Sequence, residues 1–225
     1  MGEAFVIDTT RGTVRPVDGT TGGPIPGSTD PFHHLPPVEW VQKQIDWGVN
    51  HVSASGLIDP LKSIAPVVGV EIGTCLGFSA ELFLKELPTL ETLYCVDHYP
   101  SFIDWNGTVM SEERQACMKG SAVQLLSKYG DRASLRYMNS TEFARSFGVS
   151  SRYQFIDFIF VDGDHSFEGV MRDFQLYWGF VRPGGIFAGH DWNLPTVQQA
   201  IQAFFPDRSK VRMVDNEGWY IIKES

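Results

Sequence analysis

Two short segments of the sequence combine carboxylates with histidines, and each follows a short apolar run. They are Asp162-Gly163-Asp164-His165 and His190-Asp191-Trp192-Asn193. A carboxylate is a suitable ligand for a hard cation, and a histidine can take a proton from a reacting hydroxyl. If the apolar runs are parallel strands, their carboxyl ends meet at one edge of a sheet, where ligands bind. The catalytic residues predicted from this placement are Asp162, His165, His190 and Asp191.

Three ways of acting are open to these side chains. Asp162 and Asp191 offer oxygen ligands to a divalent cation, which would lower the pKa of an acceptor hydroxyl. Alternatively the site uses no metal, and His165 or His190 acts as the general base. In the third interpretation these groups only bind the substrate.

A glycine turn earlier in the chain indicates an adjoining ligand site. The apolar run 67–72 is typical of a buried strand, and Gly73 and Gly77 lead from it into a helical segment. Their G-x-x-x-G spacing differs from the G-x-G-x-x-G of a pyrophosphate cradle. Glu71 at the strand end would repel a phosphate but would accept hydrogen bonds from an ammonium. Asp97, twenty residues after Gly77, can accept both ribose hydroxyls, so the turn favours a nucleoside with a cationic tail.

The pattern of the remaining chain predicts strands that alternate with helices. Strands are predicted at 67–72, 93–97, 135–138, 155–161, 186–189, 211–214 and 219–222. Helices are predicted at 38–48, 78–87, 112–129, 167–178 and 197–205. Arg182-Pro183-Gly184-Gly185 is predicted as a tight turn into the fifth strand, and the last two strands as a hairpin. The alternation indicates an α/β fold.

The glycine turn and Asp97 together resemble the class I S-adenosylmethionine-dependent methyltransferases. The resemblance covers about residues 66–225 and implies a Rossmann-like methyltransferase fold, a doubly wound, seven-stranded, mostly parallel sheet with an antiparallel hairpin at its C-terminal end. It implies that the glycine turn with Glu71 holds the methionine part of S-adenosylmethionine, and that Asp97 holds the ribose. Asn139-Ser140 falls where this fold contacts adenine, although a loop turn is an equal alternative. The predicted cofactor-binding residues are Glu71, Gly73, Thr74, Gly77, Asp97, His98, Asn139, Ser140 and Asp162.

A narrower resemblance is to the small-molecule O-methyltransferases that include macrolide-sugar and rhamnosyl methyltransferases. The segments that carry it are 158–170, 182–185 and 189–191. In metal-dependent members, an aspartate after strand four and an acidic pair after strand five bind magnesium. The resemblance thus implies a metal set of Asp162, His190 and Asp191 for Mg²⁺ or another divalent cation, and His165 matches the histidine proposed as base in some members. His190 stands where an acid is expected, and imidazole suits manganese, iron or zinc better than magnesium.

The first part of the chain differs in composition from the rest. Residues 1–37 are rich in proline and glycine and are predicted to form an arm without a core of its own. Residues 38–225 are predicted to form a single methyltransferase domain, with a helical preamble at 38–65 and a core at 66–225. The histidine pair His33-His34 is expected in a surface loop. The arm suggests a homodimer in which it lies against the other subunit.

Composition disfavours several classes of partner. The net charge of −9 comes without a Lys/Arg cluster, which disfavours nucleic acid. The three cysteines show no C-x-x-C spacing, so neither a disulfide framework nor a zinc knuckle is predicted. No apolar run approaches ~18 residues, so we predict a cytoplasmic protein without a membrane partner.

The partner predicted for this site is a small molecule with a hydroxyl acceptor, such as a sugar, a glycan or a natural product. Two alternatives stay open at this point. One is an NAD(P)-dependent oxidoreductase with an irregular glycine turn, and the other is a non-catalytic nucleoside-binding module. Trp105 and Trp192 are expected either to wall the substrate pocket or simply to pack.

Overall fold

The structure is a computed structural model that describes residues 5–8, 13–16, 32, 34–48, 52–103, 109–214 and 217–224. The chain divides into two compact units. The first is drawn from Met1–His51 and Tyr99–Ala122, and the second from Val52–His98 and Val123–Ser225. All the predicted catalytic and cofactor-binding residues belong to the second unit.

The secondary structure of the described residues alternates as the sequence predicts over most of its length. Their strands are β1 (Phe5–Asp8), β2 (Thr13–Pro16), β3 (Val68–Ile72), β4 (Thr92–Val96), β5 (Phe102–Ile103), β6 (Val109–Met110), β7 (Ala133–Arg136), β8 (Ile156–Val161), β9 (Val181–Gly189), β10 (Arg212–Val214) and β11 (Gly218–Ile222). Their α-helices are α1 (Pro37–Gly48), α2 (Ile58–Ile64), α3 (Phe78–Glu86), α4 (Glu112–Leu126), α5 (Ser140–Ser150), α6 (Phe167–Tyr177) and α7 (Pro195–Phe204). None of these helices is long and apolar enough to cross a membrane.

The first unit contains two small hairpins, α1 and the part of α4 up to Ala122. Strand β1 pairs antiparallel with β2, and β5 pairs antiparallel with β6. The β1–β2 hairpin lies within the proposed arm, where the sequence predicted no strand because four-residue strands are too short to show clear alternation. The guanidinium of Arg114 lies 4.8 Å from the ring centre of Trp40, and it donates to the carbonyl of Val109.

The second unit is built on a seven-stranded sheet with the order β10-β11-β9-β8-β3-β4-β7. Strands β3, β4, β7, β8 and β9 are parallel. Strand β11 is antiparallel to β9, and β10 is antiparallel to β11. The prediction of a doubly wound, mostly parallel sheet with a C-terminal antiparallel hairpin is confirmed.

Helices cover both faces of this sheet, which explains why its central strands are continuous apolar runs. Successive residues of a strand point to opposite faces, and β8 shows this directly. Ile159 and Val161 pack with residues of α5, α6 and α7, while Phe158 and Phe160 pack with residues of α2 and α3. Ile72, the last residue of β3, is in register with Val96 and Val161, and Val161 with Gly189. The carboxyl ends of these parallel strands therefore lie together at one edge.

One local prediction was wrong. The segment 182–185 does not form a turn before the fifth strand but lies within β9, where the register with β8 shifts between Val181 and Ile186. Gly184 has a φ of +75°. Its backbone N–H donates to the carbonyl of Lys223, and the N–H of Lys223 donates to the carbonyl of Gly185. This irregular segment, a β-bulge, therefore stays hydrogen-bonded within the sheet. For Asn139 the sequence left an adenine contact and a loop turn as equal alternatives. In the structure Asn139 is the N-cap of α5, a helix that the sequence pattern did not predict.

Candidate active site

The turn after β3, residues 73–77, is termed here the glycine loop. Gly73 has a φ of +91°, and a Cβ at this position would lie 2.0 Å from the backbone oxygen of Asp162. A glycine is therefore required at position 73 because the residues that follow β3 and β8 approach each other closely. This requirement does not depend on a ligand. Gly77 has a φ of +90° and is the N-cap residue of α3, and its N–H donates to the carbonyl of Thr74 at 2.8 Å.

Glu71 is a buried carboxyl group beside the glycine loop. Its side chain is only 1% exposed, and burial, together with the charges of Asp162 and Asp97, raises its pKa well above the ordinary value. Glu71 Oε2 and Thr74 Oγ1 are both buried without a hydrogen-bond partner of good geometry among the described residues. Buried polar atoms without such a partner are costly unless a ligand completes them, and a carboxyl group at this position is consistent with the predicted ammonium.

Asp97 follows β4 and closes the other side of the glycine loop. Its Oδ2 accepts from the backbone N–H of Cys75 at 2.9 Å, so the loop holds the carboxylate in place. Its own N–H donates to the carbonyl of Arg136 in β7. His98 comes next and is exposed. The structure thus brings Asp97 to the loop, as predicted from the spacing.

Asn139 and Ser140 lie after β7, the strand next to β4. The Asn139 side chain accepts from the N–H of Glu142, and the Glu142 carboxylate accepts from the N–H of Asn139. This reciprocal pair is a capping box. Ser140 donates through Oγ to Asp173 Oδ1 at 2.5 Å. The side chains of Asn139 and Ser140 therefore both make hydrogen bonds within the protein.

The four predicted catalytic residues lie together at the carboxyl edge of the sheet, and we call them the Asp/His cluster. His165 Nε2 is 2.8 Å from Asp191 Oδ2 and 3.6 Å from Asp162 Oδ1. His190 Nδ1 is 3.3 Å from Asp191 Oδ1 and 3.9 Å from Asp162 Oδ1. Each imidazole therefore faces both carboxylates. Asp164 is turned away, because it accepts from the Ser166 N–H that precedes α6.

Donor atoms close enough to share a cation form two groups that have Asp191 in common. The first is Asp162, His165 and Asp191, and the second is His190, Asp191 and Glu217, with the atoms of each group within 4.8 Å of one another. The metal set predicted from the sequence, Asp162, His190 and Asp191, is thus divided between the two groups. His165 Nε2 is buried and does not make a hydrogen bond of good geometry with Asp191, despite their short separation. The two atoms are thus spaced as neighbouring ligands of one cation.

The charges of the cluster shift the pKa values of its members in opposite directions. Burial alone would lower the pKa of His165, but Asp162 and Asp191 outweigh it and raise that pKa to about 10. Burial would likewise lower the pKa of His190, which Asp191 and Asp162 raise. Burial would raise the pKa of Asp191, but the two imidazoles bring it below the ordinary value. Without a further cation, His165 therefore carries a proton at neutral pH.

The backbone fixes these side chains in several ways. Asp191 has a φ of +58°, in the left-handed region, where aspartate is tolerated better than most residues. The indole of Trp219 donates to the carbonyl of His190 at 3.1 Å. Gly189 leaves room for that indole, because a Cβ there would lie 2.6 Å from the Trp219 ring. The end of β9 is thereby held against β11.

The sequence pattern did not predict four residues of the site, which are Ser53, Ser79, Glu217 and Asp173. Ser53 lies before α2, and its Oγ donates to Asp162 Oδ2 at 3.3 Å and lies 3.0 Å from Ser79 Oγ. Glu217 lies at the hairpin turn before β11, with Oε2 3.6 Å from His190 Nε2, and it accepts from Asn193. The fourth is Asp173 of α6, the acceptor for Ser140. No local motif marks these residues, because strand pairing and packing bring them to the site.

The other predicted site features lie apart or outside the described residues. Trp192 packs at the edge of the core, and its backbone N–H donates to the carbonyl of Glu217. Trp105 and His33 lie outside the described residues, and His34 is exposed. A cavity of about 370 Å³ lies elsewhere, between Trp178, Phe204 and Ile222. It contains none of the Asp/His cluster, so we do not regard it as the active site.

Comparison with known proteins gives a family and a fold. Residues 70–192, slightly more than half of the 225 residues, match the family described as "Methyltransferase domain". An uncharacterized protein, R132 of Acanthamoeba polyphaga mimivirus, is 36% identical over 56 residues, which are 23% of this chain and 25% of that protein. The chain thus matches only about a quarter of the length of that relative.

Two solved structures illustrate the fold. The O-methyltransferase from Bacillus cereus in complex with SAH has a TM-score of 0.55 at 15% identity, covering 84% of this chain and 93% of that chain. CalS11, a TDP-rhamnose 3'-O-methyltransferase of calicheamicin biosynthesis, has a TM-score of 0.58 at 15% identity, covering 86% and 88%. At such identities the likeness concerns the fold. The family match decides against the alternative of an NAD(P)-dependent oxidoreductase.

Proposed function

Because the chain belongs to the methyltransferase-domain family, we propose that it is an S-adenosylmethionine-dependent O-methyltransferase acting on a hydroxyl of a small molecule. The observation that carries this proposal is the position of Asp162. Its backbone oxygen lies against Gly73 of the glycine loop, while its side chain lies in the Asp/His cluster. The predicted cofactor site and the titratable groups are therefore contiguous.

The residues around the glycine loop fit the cofactor. The unsatisfied atoms of Glu71 and Thr74 suit the ammonium of the methionine part, and the Asp97 carboxylate suits the ribose. When bound, S-adenosylmethionine supplies an electrophilic methyl group on a positively charged sulfur. The protein must then place an acceptor oxygen in line with that methyl group and receive its proton.

The Asp/His cluster fits a divalent cation as a mixed set of oxygen and nitrogen donors. Asp162 and Asp191 supply carboxylates, and His165 offers a buried nitrogen without a good hydrogen bond. Such a set suits manganese, iron or zinc better than magnesium. When bound, the cation would lower the pKa of the acceptor hydroxyl.

If the site uses no cation, His165 is the side chain best placed to take the proton. Asp162 and Asp191 keep a proton on its imidazole, so it acts as a base only when another positive charge offsets the two carboxylates. The cofactor sulfonium would provide that charge. Asp191 also holds the ring toward Asp162 through its 2.8 Å contact. His190 faces the same carboxylates from the other side.

The acceptor is proposed to be a sugar, glycan or natural-product hydroxyl with no negative charge close to the reacting oxygen. The two carboxylates of the cluster, with Glu217 beside them, would repel an anionic group close to the reacting oxygen. CalS11, whose fold is similar, is a TDP-rhamnose 3'-O-methyltransferase. A sugar hydroxyl is therefore the first acceptor class to test.

Calorimetry and methyl-transfer assays test this proposal together. The parent protein should bind S-adenosylmethionine and S-adenosylhomocysteine but not NAD, and it should transfer a labelled methyl group to at least one member of a sugar and phenol panel. Asp97→Ala should weaken cofactor binding by about 1.5–3 kcal/mol, the range for hydrogen bonds to a charged acceptor. Failure of the parent to bind either cofactor form would refute the proposal, and binding without turnover on any acceptor would favour a non-catalytic module.

A further inference from the structure

Glu217 is a carboxylate beside the Asp/His cluster that takes no part in the methyl transfer proposed above. It lies at the hairpin turn before β11, and 40% of its side chain is exposed. Its Oε1 accepts from the side-chain amide of Asn193 at 2.8 Å, and its backbone carbonyl accepts from the N–H of Trp192. These two bonds tie the hairpin turn to the segment that follows β9. The other carboxylate oxygen, Oε2, lies 3.6 Å from His190 Nε2.

Glu217 completes the second donor group, in which one atom from each of His190, Asp191 and Glu217 lies within 4.8 Å of the others. His190 Nδ1 is 3.3 Å from Asp191 Oδ1, and its Nε2 is 3.6 Å from Glu217 Oε2. Both separations exceed the roughly 2.7–2.9 Å of a charged N–H···O bond. They match the spacing of about 3.3 Å between neighbouring ligand atoms of a tetrahedral metal ion. An ion on one ring nitrogen would leave the other beside a carboxylate, as metal-bound imidazoles usually are.

The shared residue, Asp191, offers a separate oxygen to each donor group. Its Oδ2 lies 2.8 Å from His165 Nε2, whereas its Oδ1 faces His190. Asp162 and His165 belong only to the first donor group, and His190 and Glu217 belong only to the second. Either group can therefore be removed by mutation while the ligands of the other stay in place.

We infer that His190, Asp191 and Glu217 form a second cation site, which takes a divalent transition-metal ion such as Mn²⁺ or Zn²⁺. The imidazole nitrogen favours these ions over Mg²⁺ and Ca²⁺, which prefer oxygen ligands. The two carboxylates offset the charge of the ion. The site does not require bound S-adenosylmethionine, so the inference and the proposed function can fail separately.

The test removes the first donor group and measures the Mn²⁺ binding that remains in the absence of S-adenosylmethionine. A protein that carries both Asp162→Asn and His165→Gln keeps every ligand of the second site. It should still bind Mn²⁺, as measured by electron paramagnetic resonance of the free ion. Adding Glu217→Gln should lower the affinity at least about tenfold, the lower range for perturbed metal sites. Glu224→Gln is the matched control, because it makes the same change beyond the other end of β11, where Glu224 pairs with Lys210.

Replacement of Glu217 by aspartate separates coordination of the ion from general attraction by charge. Glu217→Asp keeps the negative charge but withdraws the carboxylate by one methylene group, so a direct ligand is lost while a general attraction for cations remains. In the same doubly substituted background, its Mn²⁺ affinity should fall toward that of Glu217→Gln. An undiminished affinity in Glu217→Asp would overturn the assignment of Glu217 as a ligand.

If the doubly substituted protein does not fold, Glu217→Gln and Glu224→Gln in the otherwise unchanged chain carry the test. Of these two variants, only Glu217→Gln should bind less Mn²⁺ than the parent. Equal Mn²⁺ binding by both variants would overturn the second site, and so would a folded protein that binds no Mn²⁺ once the first donor group is removed. Either result would leave the proposed function intact, because cofactor binding and methyl transfer are measured separately.

Discussion

His165 Nε2 lies 2.8 Å from Asp191 Oδ2, although one residue follows β8 and the other follows β9. The contact joins the carboxyl ends of two adjacent parallel strands. Asp191 also faces His190 through its second oxygen, at 3.3 Å, so this carboxylate lies between two imidazoles. It is the member common to both groups of donor atoms, and its removal should affect the whole site.

Replacement of Asp191 by asparagine should weaken cation binding and methyl transfer together. The change removes the negative charge that both donor groups share, so Mn²⁺ affinity should fall by at least about tenfold, the lower range for perturbed metal sites. A titration of free Mn²⁺ by electron paramagnetic resonance measures this. Asp164→Asn is the matched control, because Asp164 is exposed and bonds instead with Ser166 and Arg172. Equal Mn²⁺ affinity in Asp191→Asn and the parent would show that the cluster does not bind the cation.

The stability of the cation-free protein should depend on His165 above neutral pH. Asp162 and Asp191 raise the pKa of His165 from 6.5 to about 10, so the folded state binds its proton more tightly than the unfolded state. This contribution is complete below pH 6.5 and is lost as the pH rises from 6.5 to about 10. Urea unfolding in chelator at pH 6, 8 and 10 should show the loss in the parent. His165→Gln should lack it, and an identical pH dependence in that variant would disprove the assignment.

Cation binding should show the opposite pH dependence, because protons and metal compete for the same nitrogen. Mn²⁺ affinity of the parent should therefore rise between pH 6 and 9. Calorimetry at several pH values would reveal this trend. A constant affinity over that range would indicate that the histidines are not ligands.

The sequence was sufficient to predict the sheet, because its central strands are buried on both faces and are continuous apolar runs. It was insufficient for α5, whose apolar residues Phe143 and Phe147 were too few to reveal a period. The capping box formed by Asn139 and Glu142 was the available signal. At β9, the predicted turn was wrong because Gly184 takes part in a bulge that pairs with Lys223, a contact from a distant part of the chain.

For the site, the order of strands predicted that Asp162 and Asp191 would lie near one another, but not that each imidazole would face both carboxylates. Asp191 takes part in this arrangement with a left-handed backbone, at a φ of +58°, which the sequence does not encode locally. Glu217 reaches His190 only because β11 pairs with β9, with Trp219 opposite Gly189. Such non-local pairing produced the second donor group.

Asp173 should make the stability of the protein fall as the pH rises through the mildly acidic range. Burial raises its pKa from 3.8 to about 6, so the folded state favours the protonated form. Relative to Asp173→Asn, the parent should lose up to about 3 kcal/mol between pH 3.8 and 6, at 1.36 kcal/mol for each pKa unit. Urea unfolding of both proteins at pH 4, 5, 6 and 7 measures the difference. Parallel curves would show that the buried carboxyl group titrates normally.

Gly73→Ala should destabilise the fold and not merely block the cofactor. The new Cβ would lie 2.0 Å from the backbone oxygen of Asp162, and the φ of +91° disfavours any L side chain. Because the clash involves backbone on both sides, we expect a loss of several kcal/mol in the free energy of unfolding. Gly120→Ala is the matched control, since Gly120 lies inside α4 and a Cβ added there would meet no atom within 4 Å. Alanine at that position should stabilise the helix by about 0.5–1 kcal/mol. Urea unfolding of both variants and the parent decides the matter. A Gly73→Ala protein that is as stable as the parent but does not bind S-adenosylmethionine would contradict this prediction. It would show that Gly73 is needed only for access of the ligand.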